Sequence, residues 1–186
     1  SLFKLKSIKE SNSLVRALSY QLYENYGVVK REKVVSLVKK LTQEDRKSLR
    51  DIGVKFGRYH IFLFKLFKPK QVSLRVLLWK NFKQTNLSLK PPTFGLNFTD
   101  DPKFKNKDFM LLCGFEKFDR FFVRIDILER LFIHIIKNNL ENNQEVKLVP
   151  EMLNLLGCNK ENFIKLIKNM NYKLFEKNNE TYFKYN

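Results

Sequence analysis

Residues 51–79, DIGVKFGRYHIFLFKLFKPKQVSLRVLLW, interleave basic and aromatic side chains almost without acids. Lys55, Arg58, Lys65 and Lys68 alternate there with Phe56, Tyr59, Phe62, Phe64 and Phe67. Ammonium and guanidinium groups grip phosphate oxygens, and flat rings stack on unpaired bases. If residues 69–83 form a helix, Arg75, Trp79 and Lys83 fall on one face at four-residue spacing, with Leu74, Leu77 and Leu78 on the other, suited to a core. That arrangement is a stacking platform flanked by phosphate contacts. The plainer alternative is that Trp79 packs against another element with Arg75 beside it, because most tryptophans are largely buried. Arg58-Tyr59-His60 has the same two readings: stacking and charge-assisted hydrogen bonds to nucleic acid, or a rim of the core with His60 inside.

Other chemistries find no support in the sequence. GVKFG at 53–57 is not a phosphate loop, and the string G-x-x-x-x-G-K-[ST] is absent. His60, Cys113, His134 and Cys158 are too scattered for a metal site, and no C-x-x-C occurs. No G-x-S-x-G elbow is present. Asp126 and Glu129 read as acids at a helix N-terminus. The chain carries no catalytic motif, and no cofactor of its own is expected.

The elements that must position these residues are mostly helical in the first half. Leu14, Leu18, Leu22 and Tyr26 recur every four residues after a Ser11-Asn12-Ser13 start, and Gly27 suits a left-handed cap. Val34, Leu37, Val38 and Leu41 predict a second helix, and Thr42-Gln-Glu-Asp opens a third that ends near Ile52. Residues 54–64 fit a short strand or the start of a buried helix equally well. Lys68-Pro69 opens a helix to about Lys83. Residues 84–108, with three prolines and a glycine, read as a linker. Beyond it, residues 109–125 look like short extended segments. Asp126 starts a helix with Ile127, Leu131 and Ile135 on one face. Pro150 opens a short helix ending at Gly157, Asn159 caps another to about Met170, and the tail reads as a hairpin around Lys177-Asn178-Asn179. This is the element order of a winged helix, whose third helix, the recognition helix, would turn Phe163, Ile167 and Met170 inward and Asn162, Lys165 and Asn169 outward. The expected fold is therefore mainly α with minor β: a basic helical domain over 1–83, a linker over 84–108 and a winged-helix-like module over 109–186.

Charge separates the halves. The 186-residue chain has a formal net charge of +17. Residues 1–90 hold 21 Lys+Arg against 6 Asp+Glu, and residues 91–186 hold 15 against 13. A genome-wide compositional bias would spread evenly, so the concentration in the first half calls for an anionic partner. A 44% hydrophobic content with 18 Phe and 7 Tyr argues against disorder. No apolar run is long enough for a membrane helix, and the opening residues lack the apolar core of a signal peptide. A membrane partner is not expected. The two cysteines read as buried free thiols in a reducing cytoplasm. Ser1 in place of Met carries the expectation of a fragment.

Four segments together carry a resemblance: VRALSYQLYENYGVV, LTQEDRKSLRDIGVKFGRYHIFLFKLFKPKQVSLRVLLW, VRIDILERL and LLGCNKENFIKLIKNMNY. They are similar to the C-terminal region of bacterial superfamily-two helicases, the alphaproteobacterial relatives of the mitochondrial degradosome RNA helicase. The likeness covers residues 14–79 and 123–172 and is most specific from Leu49 to Trp79. Phe64 departs from it, standing where the family pattern has proline. The Walker A, DExH and arginine-finger motifs are absent, so no catalytic residue carries over. The resemblance implies an accessory region following two RecA-like domains, with ATP and Mg²⁺ belonging to the full-length helicase and RNA or DNA as the bound strand. On this reading Lys55, Arg58, Lys65, Lys68, Arg75 and Lys83 contact phosphates, and Tyr59 and Trp79 stack. The rival expectation is a structural module that braces the helicase core domains or recruits a partner such as a ribonuclease.

Overall fold

Asn12 caps helix α1 (Ser13–Glu24), its side chain accepting from the Leu14 amide at 3.1 Å. The helix buries Val15, Leu18 and Leu22, and Tyr26 lies beyond its end at φ 53°. The computed structural model describes residues 12–83, 89–104, 106–141 and 144–186; the expected start at Ser11 and positions 84–88 of the expected linker lie outside them. Of the described residues, helix accounts for about 53% and strand for about 21%, so the fold is mainly α with minor β. The chain divides into two units, residues 1–91 with Leu112–Gly114, and residues 92–111 with 115–186.

In the first unit α1 is followed by β1 (Val28–Lys30), a 3-10 turn (Arg31–Val34), α2 (Val35–Lys40) and α3 (Gln43–Asp51). The expected capping box is present. Thr42 Oγ1 accepts from the Asp45 amide at 3.1 Å, and the Thr42 amide donates to Asp45 Oδ2 at 3.0 Å. The ambiguous stretch forms two strands, β2 (Val54–Phe56) and β3 (His60–Leu63), which lead into a 3-10 turn (Phe64–Phe67) and α4 (Pro69–Lys83). The sheet order is β1-β3-β2, all antiparallel. Val29, Ile61, Val54 and Leu63 join Leu18, Leu22, Val38, Leu49 and Leu66 in one buried cluster. On the other side of the sheet Phe62 meets Phe67 with ring centroids 5.1 Å apart.

Gly27 is where these pieces converge. Its amide donates to the Leu22 carbonyl at 2.6 Å, and its carbonyl accepts from the Leu63 amide at 2.9 Å. Its φ is +87°, and a Cβ there would stand 2.1 Å from Leu66 Cδ1.

The second unit begins inside the segment expected to be a linker. Phe98–Thr99 forms β4 and pairs with β6, and Lys107–Leu112 forms helix α5 where extended chain was expected from residue 109. A two-residue strand between prolines leaves no alternation to read, so its pairing is set by tertiary contacts. Asn97 fixes it: its carbonyl accepts from the Arg124 amide at 2.8 Å, and its Nδ2 donates to the Leu155 carbonyl at 3.0 Å. A hairpin of β5 (Phe115–Phe118) and β6 (Phe121–Arg124) completes a sheet of order β4-β6-β5. Helix α6 (Ile125–Glu141) buries Ile127, Leu131 and Ile135, and Asp126 in its first turn is held by Arg124 through Nε at 2.6 Å and Nη2 at 3.1 Å. Strand β7 (Val146–Lys147), α7 (Pro150–Leu156), α8 (Lys160–Asn169), β8 (Tyr172–Lys177) and β9 (Glu180–Tyr185) follow, with sheet order β7-β9-β8. Pro150 and a left-handed Gly157 bound α7 as expected, Asn159 caps α8, and Phe163, Ile167 and Met170 are buried. Asn178 and Asn179, both at positive φ, make the tight turn between β8 and β9.

Gly27→Ala and Gly53→Ala both place a side chain at positive φ, a strain of about 1–2 kcal/mol. Gly53 has open space around it, whereas Gly27 faces the buried Leu66. Urea unfolding is expected to show Gly27→Ala costing a further 1–3 kcal/mol or so from overpacking. Equal losses for the two variants would show that Leu66 yields freely.

Candidate nucleic-acid interface

The β2–β3 hairpin and the turn after it carry most of the residues singled out above. Gly57 closes the hairpin, its amide donating to the His60 carbonyl at 2.8 Å. Arg31, 26 residues away along the chain, clamps the loop: Nη1 donates to the Gly57 carbonyl at 2.7 Å and its amide to the Tyr59 carbonyl at 2.8 Å. Arg58 therefore projects from a pinned loop, exposed, with Tyr59 half-buried beside it and His60 inside the core. No local pattern marked Arg31 for this role, since its partners come together only when β1 and β3 pair.

Lys55 on β2 is exposed, and its strand partner is Phe62. Lys65 projects from the 3-10 turn, Lys68 stands immediately before α4, and Lys70 follows in its first turn, all exposed. Lys70 was not among the expected contacts, although its type and place alone suggested it. Lys83 is exposed at the other end of the helix.

Helix α4 is rotated relative to expectation. Its buried residues are Val72, Arg75 and Val76, with Trp79 half-buried, while Leu74, Leu77 and Leu78 are 50%, 55% and 50% exposed. Arg75, Trp79 and Lys83 thus do not form one open basic face, and the leucines do not supply the core. Arg75 is buried head and stem together, and its head donates from Nη1 to the Leu66 carbonyl at 3.4 Å, which ties α4 back to the turn before it at a cost in desolvation. Burial pushes the Arg75 guanidinium down to about 10, partly opposed by the nearby Cys113. Burial likewise pushes the Cys113 thiol up to about 12, with Arg75 opposing. Cys158 is only half-buried, and burial raises its thiol to about 11.

Between Asp51 and Asp100 the sequence contains no carboxylate. Among the described residues Lys55, Lys65, Lys68, Lys70 and Lys83 have no ion-pair partner. In the second unit, by contrast, Lys103 pairs with Asp101, Arg120 with Asp100, Lys147 with Glu180, Lys165 with Glu161 and Lys177 with Glu145. Of the outward residues expected on α8, Lys165 is thus paired with Glu161 in an exposed contact, Asn162 is half-buried and Asn169 is exposed. Among the described residues no group of three or more His, Cys, Asp or Glu side chains could hold a metal ion. Among them, too, no helix is long and apolar enough to cross a membrane.

Comparison with protein-family models, curated proteins and solved structures finds no match to this chain.

Arg75→Met keeps the stem and removes a buried charge, so it is expected to leave stability unchanged or raised in urea unfolding. Oligonucleotide affinity should fall only severalfold, through loosening of the turn that Arg75 ties down, and the salt slope should not change, because Arg75 is 2% exposed. A lower salt slope without unfolding would return Arg75 to the binding surface.

The Cys113 thiol contributes stability in full below its ordinary value of 9.0, and that contribution is lost as pH rises toward about 12. Arg75 acts with the opposite sign and only from about 10 upward. Between pH 9 and 10, Cys113→Ala should therefore flatten the decline in stability by about 1 kcal/mol. Parallel slopes for the variant and the parent would exclude a buried thiol.

Proposed function

We propose that this chain is a nucleic-acid-binding accessory region of an ATP-dependent helicase, whose first unit holds a single strand of RNA or DNA. The observation that carries the reading is the acid-free stretch with its exposed, unpaired lysines. Five such lysines on one hairpin, one turn and one helix favour an anion, because among the described residues none of them is ion-paired. Arg58 on its pinned loop adds a forked donor, and half-buried Tyr59 and Trp79 are the stacking candidates. Arg75 leaves the list of contacts and becomes a brace for the turn that presents Lys65 and Lys68.

The second unit supports a winged-helix reading through its order α6-β7-α7-α8-β8-β9 and its β7-β9-β8 sheet. The resemblance in sequence supplies the helicase context, in which ATP and Mg²⁺ serve RecA-like domains and the cytoplasm is the compartment.

A second reading has its own observation. Leu74, Leu77 and Leu78 of α4, with Phe82 at 75% exposure, form an apolar strip on the first unit. Such a strip suits a protein partner, whether a helicase core domain or a recruited ribonuclease.

Fluorescence anisotropy with a labelled oligouridine of about 12 nucleotides separates the two. With about six phosphate contacts, affinity should fall by two to three orders of magnitude or so between about 50 and 200 mM salt. Lys55→Gln, Lys65→Gln and Lys68→Gln together should reduce the logarithmic salt slope by about 2. A flat salt response would overturn the nucleic-acid reading. Binding to an isolated helicase core that Leu74→Ser and Leu77→Ser abolish, with no oligouridine affinity, would establish the other.

A further inference from the structure

The β7-β9-β8 sheet of the second unit has two unlike faces. Strand alternation turns Val146, Tyr172, Thr181 and Phe183 inward, where they are 1%, 7%, 8% and 0% exposed. The register sets the outer face row by row. Lys147, Tyr182 and Phe175 stand abreast in one row, with Lys184 opposite Lys173 on one side and Glu180 opposite Lys177 on the other.

The middle row is aromatic and half-buried. The Phe175 and Tyr182 rings lie nearly parallel, at 14° with centroids 6.0 Å apart. The Tyr182 hydroxyl donates to Glu180 Oε2 at 3.2 Å, and Lys177 Nζ sits 5.3 Å from the Phe175 ring centroid. The row near the turn is electrically closed, because Glu180 is taken by Lys147 and Lys177 by Glu145. The row at the opposite end is open. Lys173 and Lys184 face each other directly, both exposed, and among the described residues neither has an ion-pair partner. Like charges directly opposed across a strand pair are destabilising, and an anion between them reverses the sign.

We propose that this outer face is a second contact for single-stranded nucleic acid, in which Lys173 and Lys184 clamp a backbone phosphate and the Phe175–Tyr182 pair receives a base. Successive rows on one face are separated by about 7 Å along the strand, within the reach of a nucleotide from its phosphate to its base. The two rings already form a short parallel stack, and a base extends such a stack without regard to its identity. The proposal rests on the nucleic-acid reading of the chain for its ligand, but on residues of the other unit. It also changes how the near-neutral second half binds: through a sheet face and one open row of charge rather than through the outward side of α8, where Lys165 is already paired.

The test uses the whole chain and an oligouridine of about 12 nucleotides carrying one 4-thiouridine, with photo-cross-linked peptides mapped. Cross-links within residues 172–185 are expected. Lys173→Gln with Lys184→Gln should lower the logarithmic salt slope by about 0.7, the share of one phosphate on a single strand. Both side chains are exposed, so the fold is spared. Tyr182→Thr should weaken oligouridine binding about tenfold while leaving an abasic strand of equal length unaffected. The same pattern with oligothymidine supports the proposal equally, since phosphate and stacking are common to both. If oligouridine binds but cross-links only to residues 12–83, and the double glutamine variant binds as the parent does, the second contact is overturned and the first unit's stands. If no strand binds at all, both fall. Equal competition by an oligoglutamate that depends on Lys173 and Lys184 would assign the face to an acidic peptide instead.

Discussion

The first unit is organised around the absence of one side chain. At Gly27 the end of α1, the pairing of β1 with β3 and the 3-10 turn after β3 all meet, and Leu66 occupies the volume a Cβ would need. With the glycine in place, the turn lies flat against the core, its buried Leu66 inward and Lys65 outward. Arg75 then donates to that same Leu66 carbonyl from the following helix. The basic surface is consequently attached to backbone that is tied down on two sides. With the backbone already fixed, the cost of ordering these residues around an anion falls on their side chains alone.

The two units handle charge in opposite ways. The second pairs many of its cations with carboxylates, including the bidentate contact between Arg124 and Asp126 at the start of α6. The first has no acid from residue 52 to residue 91 and leaves a set of lysines facing solvent. Repulsion within such a surface lowers the stability of the free state. The aliphatic and aromatic core beneath it, from Val15 to Leu66, offsets that cost.

What the sequence disclosed follows from the range of the interaction involved. The Thr42–Asp45 capping box, Pro69 at the start of α4, the Pro150 and Gly157 limits of α7, and the Asn178-Asn179 turn all depend on residues within a few positions, and each stands where local chemistry set it. Residues 54–63 were ambiguous because an apolar run of that length suits a strand or a buried helix, and only pairing with β1 decides. The orientation of α4 was not legible. It is apolar on two sides, so the pattern offered two candidate inner faces, and the wrong one carried the leucines. For the candidate interface, residue type and place alone marked Lys55, Arg58, Lys65 and Lys68 as surface cations. They marked Arg75 too, because a sequence does not show that a particular arginine is buried whole. The sheet face bearing Phe175 and Tyr182 was hidden for a different reason, since it exists only through the cross-strand register.

The division of the chain has a practical corollary. Leu112–Gly114 is counted with residues 1–91, although the chain on either side of it, 92–111 and 115–186, forms the other unit. The polypeptide therefore passes from one unit to the other three times rather than once. No single peptide bond exists whose cleavage would yield the two units as intact pieces. A truncation after residue 91 removes a turn from the first unit, in which Gly114 lets Phe67 approach to where a Cβ would stand 2.5 Å from its ring. Separating the two proposed contacts genetically must proceed by surface substitution, not by shortening the chain.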